Sequence, residues 1–195
     1  METITISEVY DRADRYVRVH GMKKTPTKIL IEMAHAPTTK RKYDIFLSHA
    51  FRDAKAILGI KGLLEDVGYS VYVDWIDDPQ LDRTQVTPGT AEHLRTRMNM
   101  SRSLFYATTE NASESKWMPW ECGYFDGKKG KTAILPITQT AESQFQGQEY
   151  LSLYPYILKA PRQVGGKLGL LVYREPKVYI DFDSWLAGQE PTRRQ

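Results

Sequence analysis

The segment Ser115-Lys116-Trp117-Met118-Pro119-Trp120-Glu121-Cys122-Gly123-Tyr124 has the most chemical content in the chain. On a helix, Trp117, Glu121 and Tyr124 fall at i, i+4 and i+7 and share one face. A carboxylate between two aromatic rings is partly desolvated, which favours its neutral form and raises its pKa. Such a group can hold a proton or bind a ribose hydroxyl near neutral pH. A structural reading stands beside this one: Glu121 as a first-turn carboxylate favoured by the helix dipole, next to two core tryptophans.

A second set of candidates follows short apolar runs. Ser48-His49-Ala50-Phe51-Arg52-Asp53 comes after one such run, Asp74-Trp75 after another and Thr108-Thr109 after a third. Hydroxyls, a histidine, an arginine, carboxylates and aromatics together suit a nucleotide pocket. His49 reads equally as a hydrogen-bonded loop residue and as a ligand contact. The chain has no GxGxxG and no GxxxxGK[ST], so the usual dinucleotide and P-loop signatures are missing. A phosphorelay receiver needs clustered acids after its first strand to hold magnesium, and Ser48-His49 stands there instead. Cys122 is the only cysteine, which excludes an internal disulfide, and it reads as a small buried hydrophobe. His20, His35, His49 and His93 lack metal-ligand spacing, so no metal site is expected.

These candidates need a frame of alternating strands and helices. Tyr43-Asp44-Ile45-Phe46-Leu47 reads as a buried strand, 53–67 as a helix closed by Gly68, and 69–73 as a second strand. A polar loop occupies 74–85. Thr87-Pro88 starts a helix with a buried stripe of Ala91, Leu94 and Met98. Residues 103–107 and 133–137 read as the third and fourth strands, with a helix from near Ser115 between them. The alternation implies right-handed crossovers and a parallel sheet, whose ligands bind beyond the C-terminal strand ends. Pro155 interrupts any long helix in 150–158, while 168–172 and 178–180 suit strands and 183–186 a closing turn with Trp185 in the core. At the other end, Thr5-x-x-Glu8 is a capping box for a helix with Val9, Ala13, Tyr16 and Val17 on one face, ended by Gly21. Ile29-Leu30-Ile31 fits a strand or a helix turn, and 37–42 a polar linker. The division expected is an N-terminal helical extension and linker at 1–42, a core at 43–138 and a C-terminal part at 139–195.

The chain has 195 residues, of which 41% are hydrophobic and 26% charged, as suits a globular domain with extensions. It has no apolar run of the roughly 18 residues a membrane span needs. The acidic N-terminus is unlike a signal peptide, so a cytoplasmic protein with no membrane partner is expected. With a net charge of +3 and short basic clusters, the surface reads as solvated, with no nucleic-acid partner.

Two motifs carry a family resemblance. Tyr43-Asp44-Ile45-Phe46-Leu47-Ser48-His49-Ala50, followed by Asp53, resembles the opening strand and loop of bacterial TIR domains. Ser115-x-Trp117-x-x-x-Glu121 resembles the serine–tryptophan–glutamate motif of TIR domains that cleave NAD⁺. Residues 69–75 and 133–137 match the family's second and fourth strands in position. The resemblance covers about 43–138 and implies a flavodoxin-like α/β TIR fold with a central parallel sheet flanked by helices. It implies that Glu121 contacts the nicotinamide ribose and supports glycosidic cleavage. Substrate contacts are implied for Ser48, His49, Phe51, Arg52, Asp53, Asp74, Trp75, Arg83 and Trp117, with 74–85 as the BB loop that gates the pocket and mediates assembly. The implied activity is an NAD⁺ glycohydrolase or cyclase, similar to the TIR component of Thoeris-type antiphage systems. NAD⁺ is then a substrate, with no further cofactor. The implied partners are other copies of the chain and a separate effector that senses the product. The alternatives are a non-catalytic TIR adaptor and a deoxyribosyltransferase-like nucleoside enzyme. Pro119-Trp120 before the glutamate departs from the family pattern, as do the tail from 139 and the first forty residues.

Overall fold

The computed structural model describes residues 1–20, 25, 26, 28, 29, 42–50, 53–74, 86–109, 112, 115–141, 149–161 and 168–194. The chain opens with a short strand, Ile4–Thr5 (β1), and a helix, Ile6–His20 (α1). The predicted capping box forms: the Thr5 amide donates to Glu8 Oε2 at 2.8 Å and the Glu8 amide to Thr5 Oγ1 at 3.2 Å. Strands β2 (Tyr43–Ser48), β3 (Val71–Tyr72), β4 (Ser101–Thr108), β5 (Thr132–Thr138) and β6 (Tyr156–Pro161) follow. Helices α2 (Ala54–Asp66), α3 (Pro88–Asn99) and α4 (Trp117–Lys129) connect the first four of these. Strands β7 (Leu168–Glu175) and β8 (Val178–Asp181), helix α5 (Phe182–Leu186) and strand β9 (Thr192–Arg193) complete the described chain.

The sheet runs β3-β2-β4-β5-β6-β7-β8-β9, with β1 beside β5. Every pairing from β3 to β6 is parallel, and those from β6 to β9 are antiparallel. This is the helix-flanked, mostly parallel sheet expected from the sequence, continued beyond β6 by an antiparallel meander. That meander pairs with the outer edge of β6, which would otherwise leave its backbone groups unbonded. Ile29 falls in a helical turn and is buried. Gly21 and the remaining residues of 21–41 that held sequence expectations lie outside the described residues.

Side chains along a strand alternate between faces. Ile45 and Leu47 of β2 join Val9 and Ala13 of α1, Ile57 and Ile60 of α2, and Phe182 and Trp185 of α5. Phe46 points the other way, with Leu94 and Met98 of α3 and Met118, Cys122 and Phe125 of α4. Ser48 is two residues beyond Phe46 and so belongs to the α3–α4 face. Alternation in one strand thus decides which helices a rim residue can touch.

Some elements differ from expectation. The strand expected over 69–73 contracts to Val71–Tyr72, because β3 is an edge strand with β2 as its one neighbour; Tyr69 and Val73 are still buried. After a 3-10 turn at Glu149–Leu153 and Pro155, the chain becomes the strand β6. Pro119 leaves the start of α4 intact, since first-turn amides need no intrahelical partner. Ser115 Oγ accepts from the Met118 amide at 3.2 Å and helps to start that helix. Gly130, at φ 62°, ends it. Among the described residues, no helix is long and apolar enough to cross a membrane.

Three carboxylates are held below their ordinary range, two by long-range ties across the fold and one as a helix cap. Burial pushes the Asp44 carboxyl up, but the Ser70 amide and hydroxyl and the Arg102 guanidinium outweigh it and hold the group below its ordinary value. Glu8 is lowered in the same way, with burial overcome by Lys159 and Thr5, and Asp181 with burial overcome by the donors of Ser184. A depressed folded pKa gives stability that is present above the unfolded value, about 4, and lost as pH falls through the folded value. The thermal midpoint should therefore be level near neutrality and fall below about pH 4. Asp44→Asn should make that acid-side fall shallower; an unchanged pH profile in a melting series would remove Asp44 from the account.

Candidate active site

Ser48, the last residue of β2, stands at the C-terminal rim of the parallel sheet. Its Oγ donates to Glu121 Oε2 at 2.6 Å, between residues 73 positions apart in sequence. Glu121 comes from the second turn of α4, and both residues are fully buried. The carboxylate is therefore out of water and aligned by a hydroxyl, as an electrostatic group aimed at a reacting centre must be.

The neighbouring rim residues are tied to one another. His49 Nδ1 lies 2.7 Å from the Leu47 carbonyl, and its Nε2 lies 3.1 Å from Asp74 Oδ1, just beyond β3. Asp53 precedes α2 but does not cap it with its side chain; its carboxylate accepts from the Thr109 hydroxyl after β4. Ser48, His49, Asp53, Asp74 and Glu121 thus gather at one end of the sheet, drawn from α4 and from the ends of β2 and β3. Phe51, Arg52, Trp75 and Arg83 lie outside the described residues.

Along α4 the aromatic rings pair with each other. Trp117, nearly buried, meets Trp120 edge-on at 5.3 Å, and Trp120 stacks on Tyr124 at 5.8 Å. Arg95 of α3 lies over both outer rings, 5.4 Å from Trp120 and 5.9 Å from Tyr124. Cys122 is fully buried, and burial pushes its thiol up to about 11, which suits a packing residue better than a nucleophile. Among the described residues, no group of three or more His, Cys, Asp or Glu gathers as a metal site would require.

Sequence reasoning missed Tyr106. It is the register partner of Ser48 on β4 and lies close enough to feel the Glu121 charge. Burial foremost, with Tyr150 as its hydrogen-bond partner, raises its phenol well above the ordinary range. The available signal was alternation within 103–107, which places Tyr106 on the face of Leu104, towards α4.

The comparisons with known proteins bear on what this rim belongs to. No family model matches the chain. The chain is 47% identical over 169 residues to a Bacillus cereus protein named "Probable 3' cyclic ADP-D-ribose synthase ThsB'", a match that spans 86% of this chain and 88% of that protein. This chain belongs to the Thoeris-type TIR family. A Cytobacillus dafuensis protein named "Putative cyclic ADP-D-ribose synthase TIR2" is 33% identical over 107 residues, covering 54% of this TIR protein and 28% of the longer relative. The first match extends well beyond 43–138, so this TIR protein and its relative are alike through most of the flanking regions as well.

Proposed function

We propose that the protein is a TIR enzyme that breaks the nicotinamide–ribose bond of NAD⁺, with Glu121 as the catalytic carboxylate, and makes a cyclic ADP-ribose for antiphage signalling. The observation that carries this reading is the buried Ser48–Glu121 contact at the C-terminal rim, in a chain of this family. Nicotinamide leaves as a neutral molecule from an already cationic ring. Positive charge therefore moves onto the ribose, through an oxocarbenium-like state. A carboxylate beside the ribose stabilises that charge where it develops, so the step needs little help from a general acid. Ser48 keeps the carboxylate aimed. Capture of the cation by a hydroxyl of the same molecule, with loss of a proton, closes the ring; capture by water gives linear ADP-ribose.

The rest of the assignment follows the family. Residues around Ser48, with Asp53 and Trp117, form the nucleotide side of the site, together with Phe51, Arg52, Trp75 and Arg83, and Asp74 stands on the rim beside them. His49 belongs to the same rim. NAD⁺ is the substrate and brings its own leaving group, and we assign no further cofactor. Self-association and a separate effector that reads the product complete the proposed partners, in the cytoplasm.

The test is incubation of concentrated protein with NAD⁺, followed by chromatography and mass spectrometry. Nicotinamide should appear with a second product one water lighter than ADP-ribose. A second product with the mass of ADP-ribose would leave cleavage standing and remove cyclisation. Absence of nicotinamide at every protein concentration would overturn the reading. Ser48→Ala should lower kcat by about tenfold or more, the usual worth of a hydrogen bond to a charged group. An unchanged kcat would show that the contact does not aim the carboxylate.

A further inference from the structure

His49 and Asp74 are 1% and 2% exposed, as deeply buried as Ser48 and Glu121 at the same rim. The Leu47 carbonyl can only accept, so His49 Nδ1 carries the proton of that 2.7 Å contact. Nε2 then faces Asp74 Oδ1 at 3.1 Å, an ion-pair distance outside good hydrogen-bond alignment. The imidazole thus lies between a carbonyl of its own strand and the carboxylate at the end of the next, and joins the two when both ring nitrogens carry protons.

The register explains why a side-chain link stands there. The β2–β3 ladder pairs Ile45 with Val71 and Phe46 with Tyr72, and β3 ends at Tyr72. The next positions in step are Leu47 with Val73 and Ser48 with Asp74. On the β3 side, the backbone ladder therefore stops two residues short of Ser48, whose hydroxyl has to meet Glu121. His49 and Asp74 span that gap with a buried contact.

We propose that His49 and Asp74 are positioning residues: a buried splint between the ends of β2 and β3 that holds Ser48 Oγ against Glu121. The proposal rests on Glu121 being the catalytic carboxylate. It gives both residues a task other than touching NAD⁺. Losing either one disturbs the strand end that presents Ser48, and so the step that Glu121 supports. Substrate affinity, set elsewhere on the rim, changes little.

The experiment is steady-state kinetics with NAD⁺, alongside thermal unfolding, on the full chain. The variants are His49→Asn, Asp74→Ala, the double variant and His49→Gln. Asparagine keeps an amide donor towards the Leu47 carbonyl but is too short to reach Asp74; glutamine still reaches it. His49→Asn and Asp74→Ala should each lower kcat by about tenfold, with KM changed less than about twofold. The double variant should be no worse than the worse single one, because both break the same contact, and the unfolding temperatures should show the same non-additivity. His49→Gln should recover most of kcat, a rescue that a purely packing role would not give. Raised KM at unchanged kcat would overturn the proposal in favour of substrate contacts. Losses that multiply would overturn it in favour of independent roles. Full kcat in the folded single variants would leave only a structural pair and would also overturn it. If Asp74→Ala does not fold, the comparison of H49N with H49Q decides. An E121Q protein that keeps its activity would refute the site reading itself, while the unfolding cycle still reports separately whether His49 and Asp74 are coupled.

Discussion

Glu121→Gln protein should release nicotinamide from NAD⁺ about 10²–10³-fold more slowly than the unaltered chain, the usual loss when one preorganised electrostatic group is removed from a reaction centre. Glutamine has the shape of glutamate, and its amide oxygen can still accept from the Ser48 hydroxyl. The substitution therefore removes charge while leaving the 2.6 Å contact a partner. In the bound substrate the positive charge sits on the nicotinamide ring; at the transition state it has moved to the ribose. A carboxylate beside the ribose gains attraction during that movement, so its loss should appear in kcat far more than in KM. The fold should tolerate the change, since a buried charge is costly and an amide at the same place is less so. Nicotinamide release by chromatography, with a melting curve on the same sample, is the check. Undiminished release from a folded Glu121→Gln variant would remove Glu121 from the mechanism. A large rise in KM at constant kcat would make it a binding group only.

The parts of this site that could be read in the sequence are those written locally. Trp117-x-x-x-Glu121 lies within one helix, and the cap at Thr87, the stop at Gly68 and the apolar run of β2 are likewise short-range. The contact that defines the site joins residues 73 positions apart. It could be inferred only through a family resemblance and the rule that parallel sheets bind ligands beyond their strand ends. The role read for His49 stayed open because a histidine in a loop has no period to read; only its burial between Leu47 and Asp74 narrows it. β6 was hidden for another reason. Tyr156-Ile157-Leu158-Lys159-Ala160-Pro161 follows a proline and carries a lysine, and it becomes a strand because β5 and β7 flank it. β1 is hidden in the same way, as two residues that extend pairing along Ile137 and Thr138 of β5. Pairing between distant segments leaves no local pattern, so the sheet's partners were harder to read than its strands.

The first twenty residues show what a local reading misses, and a single glycine tests their place. Gly59 of α2 lies against α1 so closely that an added Cβ would fall 2.0 Å from the Val9 carbonyl oxygen and 2.8 Å from its carbon. Those are backbone atoms, so no change of rotamer relieves the overlap, and the two helices must separate. Helix propensity favours alanine by about 1 kcal/mol, but separation exposes Val9 and Ala13, both fully buried, and overpacking typically costs about 1–3 kcal/mol before that exposure is counted. The steric effect wins. Gly59→Ala should lose about 2–4 kcal/mol, and with each kcal/mol worth about 2–4 °C at this size the melting temperature should fall by roughly 5–15 °C. The surface pairs Arg12–Asp66 and Lys55–Asp14 also join α1 to α2, but exposed ion pairs are worth about 0–1 kcal/mol and cannot offset the overlap. Gly127, exposed on α4 with nothing within 4 Å of an added Cβ, is the matched control. Gly127→Ala should gain about 0.5–1 kcal/mol, through helix propensity and the smaller entropy of the unfolded chain. The same substitution thus has opposite signs at two helix positions, decided by what lies beside each. Melting of both variants measures it, and a Gly59→Ala protein that melts at or above the original temperature would mean that α1 is not seated on α2.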